Sequence, residues 1–191
     1  MQSSQKRTIL ITGANKGIGY ATVQTLLSEP TPYHIILTSR DAKLGEKAVA
    51  DLQAQYPKSS RTVAYQKLDV NDSKSVEDLV EWVKNSNKKI DVLINNAGVI
   101  YHNSTDEQKR LTIKTNFFSV VELTEKLIPF LADDGKILQI SSRVGQLALQ
   151  GAILREALSD PNLTEPKLHD IANRIIELTP DFKPFSVADE P

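Results

Sequence analysis

The apolar run Thr8-Ile9-Leu10-Ile11 passes directly into Gly13-x-x-x-Gly17-x-Gly19, and a helical stretch begins near Ile18. Glycines placed this way let a chain leave a strand by a tight turn, bring its backbone up to an anion and pack the following helix against the strand. The start of that helix adds unpaired N–H donors and the positive end of its dipole. The expected occupant is the pyrophosphate of a dinucleotide. Further strand-like runs lie at residues 34–39, 63–68, 92–95 and 136–141, beside the first at 8–12, and every gap is long enough for a crossover helix. The layout is therefore α/β, a three-layer, doubly wound parallel sheet. Right-handed crossovers with a reversal after the third strand predict the order 3-2-1-4-5 and a crevice at the carboxyl ends of strands one and four. Asn95-Asn96-Ala97-Gly98 and Ile140-Ser141-Ser142 fall on the same rim.

A chain of 191 residues suits a single domain, large enough to bury roughly 70% of its unfolded surface. Helical spacing is clearest in Val76, Leu79, Val80 and Val83, and in Ile113, Phe117, Val120, Val121, Thr124, Leu127, Ile128 and Leu131. Trp82 and the pair Phe117-Phe118 read as packing residues, and Pro129 as the end or kink of its helix. After Ser142 the pattern changes: residues 147–178 read as two helices with no strand, a helical insertion after the fifth strand. Thr164 is a candidate N-cap there, with an apolar stripe at Leu168, Ile171, Ala172, Ile175 and Ile176. The last residues, from Thr179, form a proline-containing tail without periodicity.

Charge and composition remove several functions. With 23 basic and 24 acidic residues, nothing favours nucleic acid or an anionic membrane. The absence of cysteine rules out a disulfide, a thiolate nucleophile and a Cys-ligated zinc, and fits a reducing compartment. The polar start and the short apolar run after it point to a cytoplasmic location. His34, His102 and His169 are scattered without metal-ligand spacing, so no metal is expected. The Asn-x-Ser/Thr matches at Asn71, Asn103 and Asn162 carry no weight without secretion. Neither a Gly-x-Ser-x-Gly elbow nor a Gly-Lys-Ser/Thr phosphate loop occurs.

The end of strand two reads Ser39-Arg40-Asp41. At this position an acidic residue pairs with a ribose 2′-hydroxyl, whereas an arginine accepts a 2′-phosphate. Arg40, with Lys16 in the glycine turn, argues for NADP(H). Asp41 has a sufficient role as the N-cap of a helix over residues 42–52.

Together, Thr12-Gly13-Ala14-Asn15-Lys16-Gly17-Ile18-Gly19, Asn95-Asn96-Ala97-Gly98, Asn116 and Ser142 resemble the short-chain dehydrogenase/reductases over nearly the whole chain. The Ala-Asn-Lys-Gly-Ile-Gly turn, Lys114-Thr115-Asn116-Phe117-Phe118 and the helical insertion are similar to the NADPH-dependent carbonyl reductases within that family. The resemblance implies a Rossmann sheet, reduction of small-molecule carbonyls of quinones, aldehydes and ketones, and a monomer. It implies that Gly13, Asn15, Lys16, Gly17, Ile18 and Gly19 hold the cofactor's phosphates. Asn95, Ala97 and Gly98 would line the cofactor beside the adenine ribose, with Asp69 and Val70 flanking the adenine. Ser142 would bond the substrate carbonyl and Asn116 would hold a water of a proton relay.

The same resemblance calls for a Tyr-x-x-x-Lys after the serine and its insertion. Tyr20, Tyr33, Tyr56, Tyr65 and Tyr101 all precede Ser142, and none has a lysine four residues later. The expectation is a chain short of the family's last strands, with strand five left as an edge on which Ile137, Leu138 and Ile140 are poorly covered. Such an edge offers a place for association. The rival expectation is a natural short product that binds NADP(H) or a partner and catalyses nothing.

Overall fold

The structure, a computed structural model, describes residues 6–57, 61–101 and 105–178. His102, the match at Asn103 and the tail from Thr179 lie outside them. Five strands, β1 (Arg7–Ile11), β2 (Tyr33–Ser39), β3 (Thr62–Lys67), β4 (Ile90–Asn95) and β5 (Leu131–Gln139), form one parallel sheet in the order β3-β2-β1-β4-β5. This is the expected order, and the fold is α/β of the Rossmann type. The helices are α1 (Gly17–Ser28), α2 (Ala42–Gln55), α3 (Ser73–Asn85), α4 (Asp106–Ile113), α5 (Ser119–Leu127), α6 (Ala152–Leu158) and α7 (Glu165–Leu178). The chain divides into two compact units, one of Met1–Gly98 with Ser119–Ile140 and one of Val99–Phe118 with Ser141–Pro191.

The first unit holds the sheet and buries both of its faces. Successive residues of a strand point to opposite sides, so Ile9 and Ile11 of β1 join Ile35, Leu37, Val63 and Ile94 under α1 and α2, where Val23, Leu27, Ala48 and Leu52 meet them. Leu10, Ile36 and Leu93 face the other way, against Val76, Leu79 and Val83 of α3 and Leu123 and Leu127 of α5. This is why β1, β2 and β4 read as unbroken apolar runs rather than alternating ones. Trp82 packs against the second cluster, the role expected of it.

Two boundaries differ from the sequence reading. The stripe from Ile113 to Leu131 is not one helix: a π-helical turn, Lys114–Phe118, separates α4 from α5, and a 3₁₀ turn, Ile128–Phe130, carries Pro129. Proline offers no N–H to continue the ladder, so the chain leaves the helix and Leu131 already belongs to β5. That strand runs over Leu131–Gln139 instead of 136–141, because its first half, Leu131-Ala132-Asp133-Asp134-Gly135, carries polar residues and glycine and lacks a strand signature. A register shift between Ile90 and Val92 of β4 accommodates it.

Among the described residues β5 pairs with β4 alone and ends the sheet. Ile137, Leu138 and Ile140 are 38%, 48% and 45% exposed. The apolar edge is therefore present.

The second unit contains α4, the π-helical turn, α6 and α7. Phe117, Phe118 and His169 meet edge to face with centroids 5.0, 5.4 and 5.2 Å apart, so the phenylalanine pair is packing material. Between residues 147 and 178 lie a 3₁₀ turn, Leu147–Leu149, then α6 and α7, and no strand. Thr164 accepts through its carbonyl from Leu168 N at the start of α7. No helix among the described residues is long and apolar enough to cross a membrane.

Candidate functional site

The carboxyl end of β1 is held from two sides. On one, Thr12 Oγ1 accepts from Asn96 N at 2.9 Å and Ala97 N at 2.8 Å, while Asn96 Nδ2 donates to Thr12 O at 2.8 Å and Gly13 O at 3.1 Å. On the other, Ala14 N donates to Thr38 O at 2.9 Å and Thr38 Oγ1 donates to Ile11 O at 3.1 Å. The glycine loop is thus clamped between the ends of β4 and β2. Gly13 and Gly17 have φ of 62° and 58°, the left-handed region in which a side chain is costly.

The start of α1 differs in its capping from those of α2, α3 and α4. Asp41 caps α2 by accepting from Leu44 N at 2.9 Å, Asp72 caps α3 by accepting from Lys74 N at 3.0 Å, and Thr105 with Gln108 forms a capping box on α4. At α1, Lys16 occupies the N-cap without a side-chain hydrogen bond, and the first turn holds no acidic residue. Nothing lies within 4 Å of where a Cβ on Gly17 would be, and Lys16, Gly17 and Ile18 are exposed. A helix start with unsatisfied N–H groups, positive potential and open space above a glycine suits an anion, so the residues present fit a nucleotide's phosphates.

Around this loop the other sequence-derived residues of the first unit take separate positions. Arg40 is exposed at the end of β2, with no hydrogen-bond or ion-pair partner among the described residues. Its neighbours are fixed: Ser39 O accepts from Leu68 N at 3.0 Å and Tyr65 Oη at 3.1 Å, and Asp41 serves α2. Asp69 shapes its own loop, with Oδ1 accepting from Asn71 N at 3.0 Å and its N donating to Ser75 Oγ at 2.9 Å. Val70 packs against the α3 side of the core. Asn15 is half-buried and Gly98 exposed. Asn95 is buried, its Nδ2 donating to Thr124 Oγ1 at 2.9 Å and its O accepting from Ile140 N at 2.9 Å, while Oδ1 has no partner.

The two remaining residues belong to the second unit. Asn116 sits in the π-helical turn, where Oδ1 accepts from Val99 N and Nδ2 donates to Val99 O, both at 2.8 Å. Its side chain is therefore committed to one backbone residue. Ser142 is exposed, and its Oγ accepts from Val144 N at 3.4 Å at the start of a 3₁₀ turn, Arg143–Gly145.

Thr12 and Asn96 are positioning residues that sequence reasoning did not single out. A threonine closing an apolar strand and an asparagine doublet at the end of another were the available signals, but their mutual pairing depends on β1 and β4 being neighbours.

A model of the short chain dehydrogenase family matches residues 7–154. Carbonyl reductase [NADPH] 3 of Mus musculus is 33% identical over 183 residues, 93% of this chain and 64% of the relative. Carbonyl reductase [NADPH] 1 of Sus scrofa is also 33% identical, over 93% of this chain and 62% of its own length. The chain thus spans less than two thirds of these curated relatives. Among solved structures, menthone neomenthol reductase from Mentha piperita superposes with a TM-score of 0.82 at 29% identity, covering 91% of this chain and 74% of that one. With a parallel sheet in the order 3-2-1-4-5, a glycine loop open to an anion and a family match over most of its length, the chain belongs to the short chain dehydrogenase family.

Proposed function

We propose that this chain holds NADP(H) on its glycine loop and is the nucleotide-binding part of a reductase acting on the carbonyl of an aldehyde, ketone or quinone. The observation that carries the reading is the α1 start, which lacks a side-chain cap and lies beside the open face of Gly17. Arg40 and Lys16 supply cations for a 2′-phosphate. Ala97 and Gly98 border the ribose, with Asn95 holding the strand end beneath them, and Asp69 and Val70 lie beside the adenine. When bound, NADPH supplies the hydride that reduces the carbonyl carbon. Ser142 donates a hydrogen bond to the oxygen on which negative charge develops. Asn116 is anchored to Val99 through Oδ1 and Nδ2, and its second amide N–H and lone pair are left to hold a water of the proton relay.

The reduced oxygen also needs a proton, and none of the five tyrosines has a lysine four residues later to assist it. Tyr20, Tyr33, Tyr56 and Tyr65 pack against the core beneath α1 and α2. Burial pushes the Tyr65 hydroxyl up from its ordinary value, the wrong direction for proton exchange near neutral pH. We therefore expect a polypeptide of verified 191-residue mass to bind NADPH in calorimetry without consuming it in the presence of a simple quinone. Turnover would show that a group within these residues donates the proton. The exposed β5 edge favours a second reading, in which the chain binds NADP(H) and a protein partner and catalyses nothing.

Arg40→Asp tests the cofactor assignment. It is expected to weaken NADPH by about ten-fold or more, the loss of one charge-assisted contact, while NADH changes little. Equal losses for both, measured by calorimetry, would remove Arg40 from the 2′-phosphate. A reducing cytoplasm accords with a cysteine-free chain, and fractionation of the tagged protein checks it.

A further inference from the structure

At the end of β1 away from the glycine loop lies a cavity of about 590 Å³, lined by residues of all five strands and the loops before β1 and β4. Its volume falls in the range of small-molecule sites, roughly 300–1,000 Å³. Lys6, Lys88 and Lys89 converge on it against Asp91 and Asp133. Two of these five charges are already engaged: Asp91 Oδ2 accepts from Thr8 N at 2.6 Å, and Lys89 Nζ donates to Pro129 O at 3.2 Å. Lys6 and Lys88 have no side-chain partner among the described residues. Asn87, at φ 53°, turns the chain there, and Lys88 N donates to Ser86 Oγ at 3.2 Å. His34 Nδ1 meets Thr62 Oγ1 at 2.8 Å on the same wall; with Nδ1 accepting from the hydroxyl, or with the ring protonated, Nε2 carries a proton to donate.

We propose that this cavity binds a small tetrahedral dianion of the phosphate class, held by the ammonium groups of Lys6 and Lys88, with His34 and Asn87 donating from the wall. Several separate donors suit an anion with three or four acceptor oxygens better than a planar carboxylate. Three lysines face two carboxylates, Asp91, with Oδ2 bonded to Thr8 N, and Asp133, so the lining keeps a net positive charge. Burial, then Lys88 and Lys6, hold the His34 imidazolium below its ordinary range. A bound dianion reverses the lysine contribution, so His34 should titrate higher in the complex. By linkage, the anion should bind more tightly as pH falls through the His34 transition. The charged groups facing His34 are Lys6 before β1, Lys88 and Lys89 before β4, Asp91 on β4 and Asp133 on β5.

The test uses the full chain and follows the His34 ring protons by NMR during titration with inorganic sulfate, whose charge is constant near neutral pH, and with inorganic phosphate. Sodium chloride at matched ionic strength is the control. Saturable shifts with both dianions and a raised His34 titration in sulfate are expected. Lys88→Glu and Lys6→Glu should each weaken sulfate by about ten-fold, while NADPH affinity, set at the opposite end of β1, stays unchanged. If charge reversal disturbs folding, Lys88→Gln with a wild-type thermal transition should still weaken sulfate several-fold. Equal responses to chloride, no saturation, or unchanged sulfate binding in a folded Lys88 variant would each overturn the site. Titration with NADPH distinguishes sources: His34 shifts matching those of free phosphate identify a phosphate ester as a ligand of this cavity, whereas NADPH binding without them leaves inorganic anions as its ligands. Failure of NADPH to bind at all would strike the nucleotide reading and leave this proposal standing on sulfate.

Discussion

Gly19→Ala is expected to weaken NADPH by at least about 100-fold and to lower stability by about 2–3 kcal/mol. A Cβ at this position would lie 2.5 Å from Asn96 Nδ2, 2.8 Å from Ala14 Cα and 3.0 Å from Gly13 O. Two of those three atoms are backbone and cannot swing aside. The third belongs to the amide that ties the glycine loop to β4 through Thr12 O and Gly13 O. Relief of the contact therefore breaks the clamp or moves the helix start, and either displaces the donors proposed to meet the phosphates. Gly17→Ala is the informative contrast. No atom lies within 4 Å of its added methyl, so its cost to stability is chiefly that of φ 58°, about 1 kcal/mol, while the methyl occupies the space a phosphate needs. Urea unfolding with NADPH calorimetry separates the two: Gly17→Ala loses affinity at near-normal stability, Gly19→Ala loses both. Wild-type affinity in a folded Gly19→Ala protein would detach the glycine loop from the nucleotide.

The sheet order was legible because β1, β2 and β4 are buried on both faces and so announce themselves as unbroken apolar runs. The helix start at α2 was marked by Asp41, a side chain whose capping geometry is local. The first half of β5 was not legible. Ala132-Asp133-Asp134-Gly135 enters the sheet because β4 offers an edge to it, a tertiary cause that no local propensity records. The π-helical turn was hidden for a similar reason. Its residues keep helical spacing, and the inserted irregularity brings Asn116 onto Val99, a partner that sequence periodicity does not reveal. At the candidate site the glycine loop and Arg40 were named from their places after β1 and β2, and the structure leaves Gly17 and Arg40 exposed there. The buttress could not, because Thr12 and Asn96 acquire their roles only from the adjacency of β1 and β4.

Leu93→Ala should cost about 3–4 kcal/mol and Leu138→Ala about 1 kcal/mol or less, although the chemical change is the same. Leu93 is fully buried in β4, registered with Leu10 of β1 on one side and Ile137 of β5 on the other, and it packs in the cluster beneath α3 and α5. Those neighbours are held by two helices and a central strand, so the cavity left by truncation cannot collapse. Leu138 is one strand further out and 48% exposed, and its removal uncovers little that water does not already reach. Against a typical domain stability of about 5–15 kcal/mol, the first change removes a large fraction and the second is tolerated. Urea midpoints at constant m-value measure both. A Leu138→Ala loss as large as that of Leu93→Ala would show that the β5 edge is covered in solution. Because a cover supplied by another molecule adds stability by mass action, the midpoint would then move with protein concentration or with added partner, and a cover within the same polypeptide would leave it fixed.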